Sequence, residues 1–441
     1  MFSKFKLSLN SINYKLFFAL FALGFAPTVY TTVRVFFLGS LPGEYSFSIA
    51  GQLSWVNLLY EIINEAIILP LFYLIGKVAI DKKEFTNRVK TGMLMTLGIY
   101  LILAAIICIG AKPLLSLMAT DPVILEASAV YIRIESVANI FLILTQFTLI
   151  ALITINKNKY LYLLTVARLM LSIVCDTFFV SSLPASLNLG INGIGYSNIL
   201  VHIVLLCLSL FFLSIEKINV FEKGSPSFSW VKEFVRIGSI SGLESLVRNL
   251  AYMVMISRMV NVVREQGTYW VANNFIWSWL LLPILQLGEL IKQETATNKD
   301  NIRKNCLGYF GLTAIFSSLW FLSIPLWKPF MKDVLQFNET DKLFDLVLVL
   351  VGFYVLYAFQ NVFDSLFYGL GKTNYMLFES VVTNTIYYGI AFILYLAGIW
   401  TPSLIGVALL FGIGNAFDSI VSLGAFLYLL KKEKINILHI T

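Results

Sequence analysis

Asn57, Glu61 and Glu65 recur every four residues in the run WVNLLYEIINEAIILP, so on a helix they form one polar stripe with Asn64 at its edge. Two carboxylates a turn apart in a dry site resist being charged together, which suits one of them to taking up and releasing a proton. Arg34 and Arg168 stand in other apolar runs and offer the alternative, a fixed ion network that holds the amino-terminal half together. Asp176 follows Arg168 at i+8 with Ser172 between them, a second stripe able to pair with itself. Further along, Glu244 and Arg248 stand at i and i+4 and can neutralise one another; if the arginine is drawn elsewhere, Glu244 becomes titratable. Gln360, Asn361 and Asp364 interrupt the aromatic run YVLYAFQNVFDSLFYG, where Gln360 and Asp364 share a face with Tyr357 and Tyr368. With no basic residue on that run, Asp364 finds a partner elsewhere, binds a cation, or is protonated and donates a buried hydrogen bond. Glu244 and Asp364 are therefore the candidate ion-coupling pair. Arg248, Tyr357, Gln360, Asn361 and Trp277 are candidates to line a substrate cavity, with the rings available to stack on an amphiphilic or aromatic cargo. The pairs Glu135 with Asn139, Asn198 with His202, Glu379 with Thr383, and Asn415 with Asp418 either line a cavity or bridge helices.

The elements that carry these groups are apolar throughout. Of 441 residues 58% are hydrophobic and 13% charged, with a mean hydropathy of +0.82, so the chain is an all-α polytopic membrane protein that keeps charge inside its bundle. Twelve transmembrane helices are predicted near 16–39, 51–76, 92–110, 127–152, 160–180, 192–214, 234–260, 270–290, 307–326, 343–369, 376–397 and 404–429. The connections that include both termini hold 22 Lys and Arg against 5 in the opposite set, which puts both termini in the cytoplasm. The net charge of +7 is thus explained by loops at an inner membrane face rather than by nucleic acid. No small-residue cleavage site closes the first apolar run, so that run is expected to remain as a helix.

The polar stretch around Gly224, Ser225 and Pro226 divides the chain into a bundle at 1–214, a linker at 215–231 and a bundle at 232–441. A repeat offset of 215 sets Lys157 against Lys372 and Tyr160 against Tyr375, and the two six-helix bundles are read as pseudo-symmetric. Pro27 and Pro70 fall inside helices, and Gly238 and Gly242 at i and i+4 admit a neighbouring backbone. The four cysteines have no paired metal spacing, two histidines exclude a multi-histidine metal site, and no Walker lysine or HExxH motif is present. No cofactor, metal or enzymatic chemistry is expected.

The stretch VRVFFLGSLPGEYSFSIAG at 33–51, the run LITINKNKYLYLLTVARLMLSIVCDTFF at 152–179, GLGKTNY at 369–375 and the twelve-span pattern resemble the multidrug and toxic compound extrusion (MATE) family of the flippase-related superfamily. The resemblance covers essentially the whole chain. It implies V-shaped bundles opening alternately to either side and exporting organic cations against Na⁺ or H⁺. One branch of the family carries an essential Glu on the seventh helix and an Asp on the tenth, places that Glu244 and Asp364 match. Another relies on an Asp late in the first helix, where this chain has Arg34 in VRVFFLG. Glu61 and Glu65 depart from that family's usual second helix as well. The expectation is a monomeric antiporter of the cell inner membrane, exchanging a small organic or amphiphilic substrate for H⁺ or Na⁺ among membrane lipids. A flippase for a lipid-linked or amphiphilic substrate is the alternative.

Overall fold

The computed structural model describes residues 2–42, 45–78, 80–155, 157, 159–220 and 226–435, and it is helical throughout. In chain order the helices are α1 (Phe2–Ser11), α2 (Tyr14–Gly39), α3 (Ser46–Gly76), α4 (Lys82–Leu117), α5 (Pro122–Thr154), α6 (Lys159–Phe179) and α7 (Asn192–Ile215). Then come α8 (Val231–Tyr252), a π-helical turn at Met253–Ser257, α9 (Arg258–Val262), α10 (Gln266–Phe275), a π-turn at Ile276–Leu280 and α11 (Leu282–Thr297). The last are α12 (Asn301–Pro329) with a π-turn at Phe330–Val334, α13 (Thr340–Gly369), α14 (Asn374–Val382), a π-turn at Thr383–Tyr388, α15 (Gly389–Leu396) and α16 (Leu404–Lys432).

Local chemistry sets several boundaries. Asp81 caps α4 by accepting from the Lys83 and Glu84 amides, and Asp121 caps α5 with Pro122 in the first turn. Ser403 accepts from the Gly406 amide at the start of α16. Both α2 and α3 continue as helices past Pro27 and Pro70.

Among the described residues ten helices are long and apolar enough to cross a membrane, eleven if α10 and α11, bent by 54° about Leu281, form one broken span. Ten of the twelve expected spans coincide with these ten helices, and 270–290 is the bent pair. The stretch expected at 234–260 is helical as α8 and α9 but is not among the ten. It carries Arg236, Glu244, Arg248 and Arg258 along its length, with Lys232 and Glu233 just before it on α8. The short helix α1 was not anticipated; it precedes the first apolar run.

The chain packs as two compact units, Tyr30–Gly267 and Met1–Val29 with Thr268–Thr441. The first has a core of Trp55, Val56, Phe85, Phe147 and Leu213, all nearly or fully inaccessible. Within it α3 and α8 touch closely, because a Cβ at Gly238 would collide with the Ala66 carbonyl and one at Gly242 would crowd the Ala66 Cβ. The glycine pair read from the sequence thus serves close backbone approach. The second unit centres on Leu290, Tyr309, Leu366 and Phe367. In it α1 lies along α12, with Ser8 fully buried and its Oγ accepting from the Gly308 amide at 2.8 Å.

The two units share a local design at one helix end. The residue after α7 is Glu216 and the residue after α16 is Glu433, each followed by a lysine at positive φ, Lys217 at 61° and Lys434 at 54°. Glu216 pairs with Lys157 at 2.9 Å, and Glu433 pairs with Lys372 at 2.7 Å. These hydrogen bonds hold both carboxyls below, and both ammoniums above, their usual ranges. The underlying sequence, Glu-Lys-Ile-Asn at 216–219 and again at 433–436, is a sharper internal repeat than the lysine and tyrosine echo.

Candidate functional site

Within the unit Tyr30–Gly267, residues of α2, α3, α4, α5, α6 and α7 line a polar cavity of about 320 Å³. Arg34, Asn57, Glu61, Asn64 and Arg168, all singled out in the sequence, line it together with Glu135, Asn198 and His202. The ion network has different partners from those expected. Arg34 donates from Nε to Asp176 Oδ2 at 2.9 Å and from Nη2 to Asp176 Oδ1 at 3.2 Å, a two-pronged pair with Asp176 1% exposed. The same Nη2 reaches Asn198 Oδ1 at 2.9 Å, and Asn198 Nδ2 donates to both oxygens of Glu135 at 2.8 and 3.0 Å. One continuous chain of charge-assisted bonds therefore ties α2, α6, α7 and α5.

Glu65 is not neutralised by Arg34 or Arg168 but by Arg248 of α8, whose Nη2 lies 2.6 Å from Glu65 Oε1. The cause is proximity: the α3–α8 seam at Ala66 puts Arg248 beside the carboxylate stripe, and Glu61 faces the same guanidinium charge. Asp176 likewise does not pair with Arg168 on its own helix. The side chain of Glu244 lies outside the described residues.

Arg168 is the exception in this network. No described carboxylate pairs with it, its Nε has no hydrogen-bond partner, and it stacks 5.6 Å from the centroid of Tyr30, whose ring also lies 5.9 Å from Arg34.

The second polar cluster lies within the unit that contains residues 268–441, where α13, α14 and α16 meet. Gln360, 4% exposed, organises it: its Nε2 donates to Asp418 Oδ2 at 2.5 Å and to Asp364 Oδ2 at 3.5 Å, and its Oε1 accepts from Ser419 at 2.9 Å. Ser422 donates to Asp364 Oδ1 at 3.0 Å, and Thr383, the first residue of a π-turn, donates to Asp418 Oδ1 at 2.6 Å. Glu379, 3% exposed, lies against Asp364 and Ser422, with Oε1 lacking a partner. Three carboxyl groups thus converge, and among the described residues no basic side chain pairs with any of them. Sequence reading paired Glu379 and Asp418 only with neighbours on their own helices; Gln360 is the group that joins Asp418 to Asp364, and Glu379 meets Asp364 directly. No group of three His, Cys, Asp or Glu among the described residues has a metal-holding arrangement.

The remaining cavity candidates serve as packing around this cluster or belong elsewhere. Asn361 donates to the Ile284 carbonyl at 3.0 Å and, with Ser365, fills the space that a side chain at Gly288 would need. Trp277, on a π-turn, donates to the Tyr354 hydroxyl at 3.1 Å and stands 5.5 Å from the Tyr357 ring. Arg248 belongs to the other unit.

Comparison with known proteins gives a consistent picture. The MatE family model matches residues 78–178. No curated protein matches the sequence. Among solved structures the fold is similar to the inward-facing conformation of a multidrug resistance MATE family transporter of the MOP superfamily. The match has 18% identity, covers 92% of this chain and 94% of that one, and has a TM-score of 0.77. An outward-facing conformation of a MATE transporter matches at 19% identity, 98% of each chain and a TM-score of 0.68. A MOP superfamily transporter from Pyrococcus furiosus, described as having a binding pocket of reverse polarity that suggests a different function, matches at 18%, 98% of each chain and 0.68.

Proposed function

We propose that this chain, which has the MATE transporter fold of the MOP superfamily, is a secondary antiporter that exports organic or amphiphilic compounds in exchange for H⁺ or Na⁺. The observation that carries the reading is the uncompensated acid cluster of Asp364, Asp418 and Glu379. A carboxyl cluster in an apolar bundle needs a counter-charge, and a proton or a monovalent cation supplies one. Gln360 bridges α13 to α16, so loading or unloading the cluster changes the bonds that hold those helices. An ion drives a transport cycle only through different affinities for two packings, and a charge-dependent helix seam provides that difference. Glu244 on α8 is the second coupling group in this reading. The bundles 1–214 and 232–441, joined by 215–231, each contribute six of twelve spans and rock against one another. The Glu-Lys-Ile-Asn helix ends found in both units support the duplication.

Everted membrane vesicles energised with a pH gradient or a Na⁺ gradient test the coupling, with ethidium and 2-naphthoate as transported probes. Asp364→Asn keeps the size of the side chain but removes its charge, and gradient-driven uptake should fall to background while the protein still purifies as a monodisperse species. Full ion-driven uptake by D364N refutes the role of the cluster. The arginine-bearing cavity favours one second reading, a flippase for an amphiphilic or lipid-linked substrate, in which probe movement persists without either gradient.

A further inference from the structure

Arg168 and His202 share a feature that the network around them lacks: both line the cavity with unused hydrogen-bonding capacity. The guanidinium of Arg168 has no described carboxylate partner, and its Nε is unbonded. His202 is 5% exposed and its Nδ1 is likewise without a partner. Asn64 Oδ1 and the Tyr60 hydroxyl are further unsatisfied atoms on the same lining. Buried polar atoms are nearly always satisfied, so four on one cavity wall mark places where a bound molecule completes the bonding. The nearby arginines are already paired, Arg34 with Asp176 and Arg248 with Glu65, while the Glu135 carboxyl is held by the neutral Asn198 amide. Arg168 is the arginine on this wall that no described carboxylate pairs with.

We infer that the cavity in the unit Tyr30–Gly267 binds a small amphiphilic monocarboxylate, with the carboxylate held by Arg168 and His202 and the apolar body against Leu53, Leu142 and Ile143. A guanidinium takes a carboxylate through parallel N–H donors and is costly to leave unpaired at membrane depth. Glu61 and Glu135 on the same lining disfavour a dianion such as phosphate. The volume of about 320 Å³ fits a compact organic acid. Calling this ligand the cargo rests on the transport reading above; the binding site itself does not.

Equilibrium dialysis of the purified full chain tests it, with three probes of one skeleton: 2-naphthoate, the neutral 2-naphthamide and the cationic 2-naphthylmethylammonium. Naphthoate should bind most tightly. Arg168→Gln should weaken it by about tenfold or more, the range for losing a charged hydrogen bond, while leaving the amide unchanged. Arg168→Lys keeps the charge without the fork and should fall between. His202→Phe should weaken naphthoate, and His202→Asn, which keeps a polar group, should restore part of it. Equal affinity for acid and amide, or unchanged naphthoate binding by R168Q, overturns the site. So does tighter binding of the cationic probe that improves further in R168Q. The lysine and asparagine variants keep the test decisive if R168Q or H202F does not fold. Binding is read without a gradient, so naphthoate binding with no ion-driven uptake leaves the site standing and removes the antiport reading. Ion-driven ethidium uptake with no naphthoate binding does the reverse.

Discussion

At the scale of single residues, the sharpest structural commitment is the Arg34–Asp176 pair. Asp176 is almost completely buried, and Arg34 supplies two of its bonds while also reaching Asn198. Removing one member of such a pair costs about 3–5 kcal/mol, because the other is left charged and dry. Arg34→Ala should therefore lower the melting temperature sharply in detergent, and adding Asp176→Asn should recover part of the loss. An R34A protein as stable as the parent would show that the pair is not holding α2 to α6. The residue types in this network were legible in the sequence, their partners were not. Arg34 and Asp176 are 142 positions apart, and Glu65 and Arg248 are 183 apart. Spacing along one helix finds only neighbours on that helix, so it offered Arg168, eight residues earlier, for Asp176 and Glu244, four residues earlier, for Arg248. Asp364 was identifiable because its run has no basic residue, an argument from absence along one helix that needs no knowledge of how helices rotate.

At the scale of elements, apolar length alone located ten helices that are long enough to cross and the bent pair at 270–290, and small residues located one seam. Gly238 faces Ala66 so closely that any side chain must push α3 and α8 apart. Gly238→Val should destabilise the protein by about 1–3 kcal/mol, the usual cost of overpacking. It should also weaken the Glu65–Arg248 pair that the seam brings together. Thermal unfolding of G238V beside Gly98→Val, a position where a Cβ meets nothing, separates the seam from general helix propensity. Equal losses in the two variants would dismiss the close approach. The π-turns were invisible to periodicity because one extra residue in a turn leaves composition unchanged. Two of them carry Thr383 and Trp277, which bond into the second polar cluster and its aromatic surround.

At the scale of the whole molecule, the count of 22 basic residues against 5 predicts orientation. Cysteines placed at Ser116 and Asn338 should react with an impermeant maleimide in intact cells, whereas one placed at Ser227 should be protected. The opposite pattern reverses the topology. The lysine and tyrosine echo is the sequence signal read for two related halves, and the repeated Glu-Lys-Ile-Asn is a sharper one. The packing units were not legible, because they join segments distant in the chain.

That joining governs how the protein is made. The unit holding α12 to α16 also contains α1 and the first part of α2. Ser8 of α1 bonds to Gly308, 300 residues later, and Glu294 accepts from the Asn13 amide and from Asn305, with Tyr309 donating to the same carboxylate. At roughly 5–20 residues per second, α1 leaves the ribosome some 15–60 s before its seat exists. Throughout that interval its apolar side has no protein to cover it, while the whole of the other unit is synthesised. Helix α1 is made early and is among the last segments to find its place, so a nascent chain stalled near residue 267 holds one finished unit and an unseated α1.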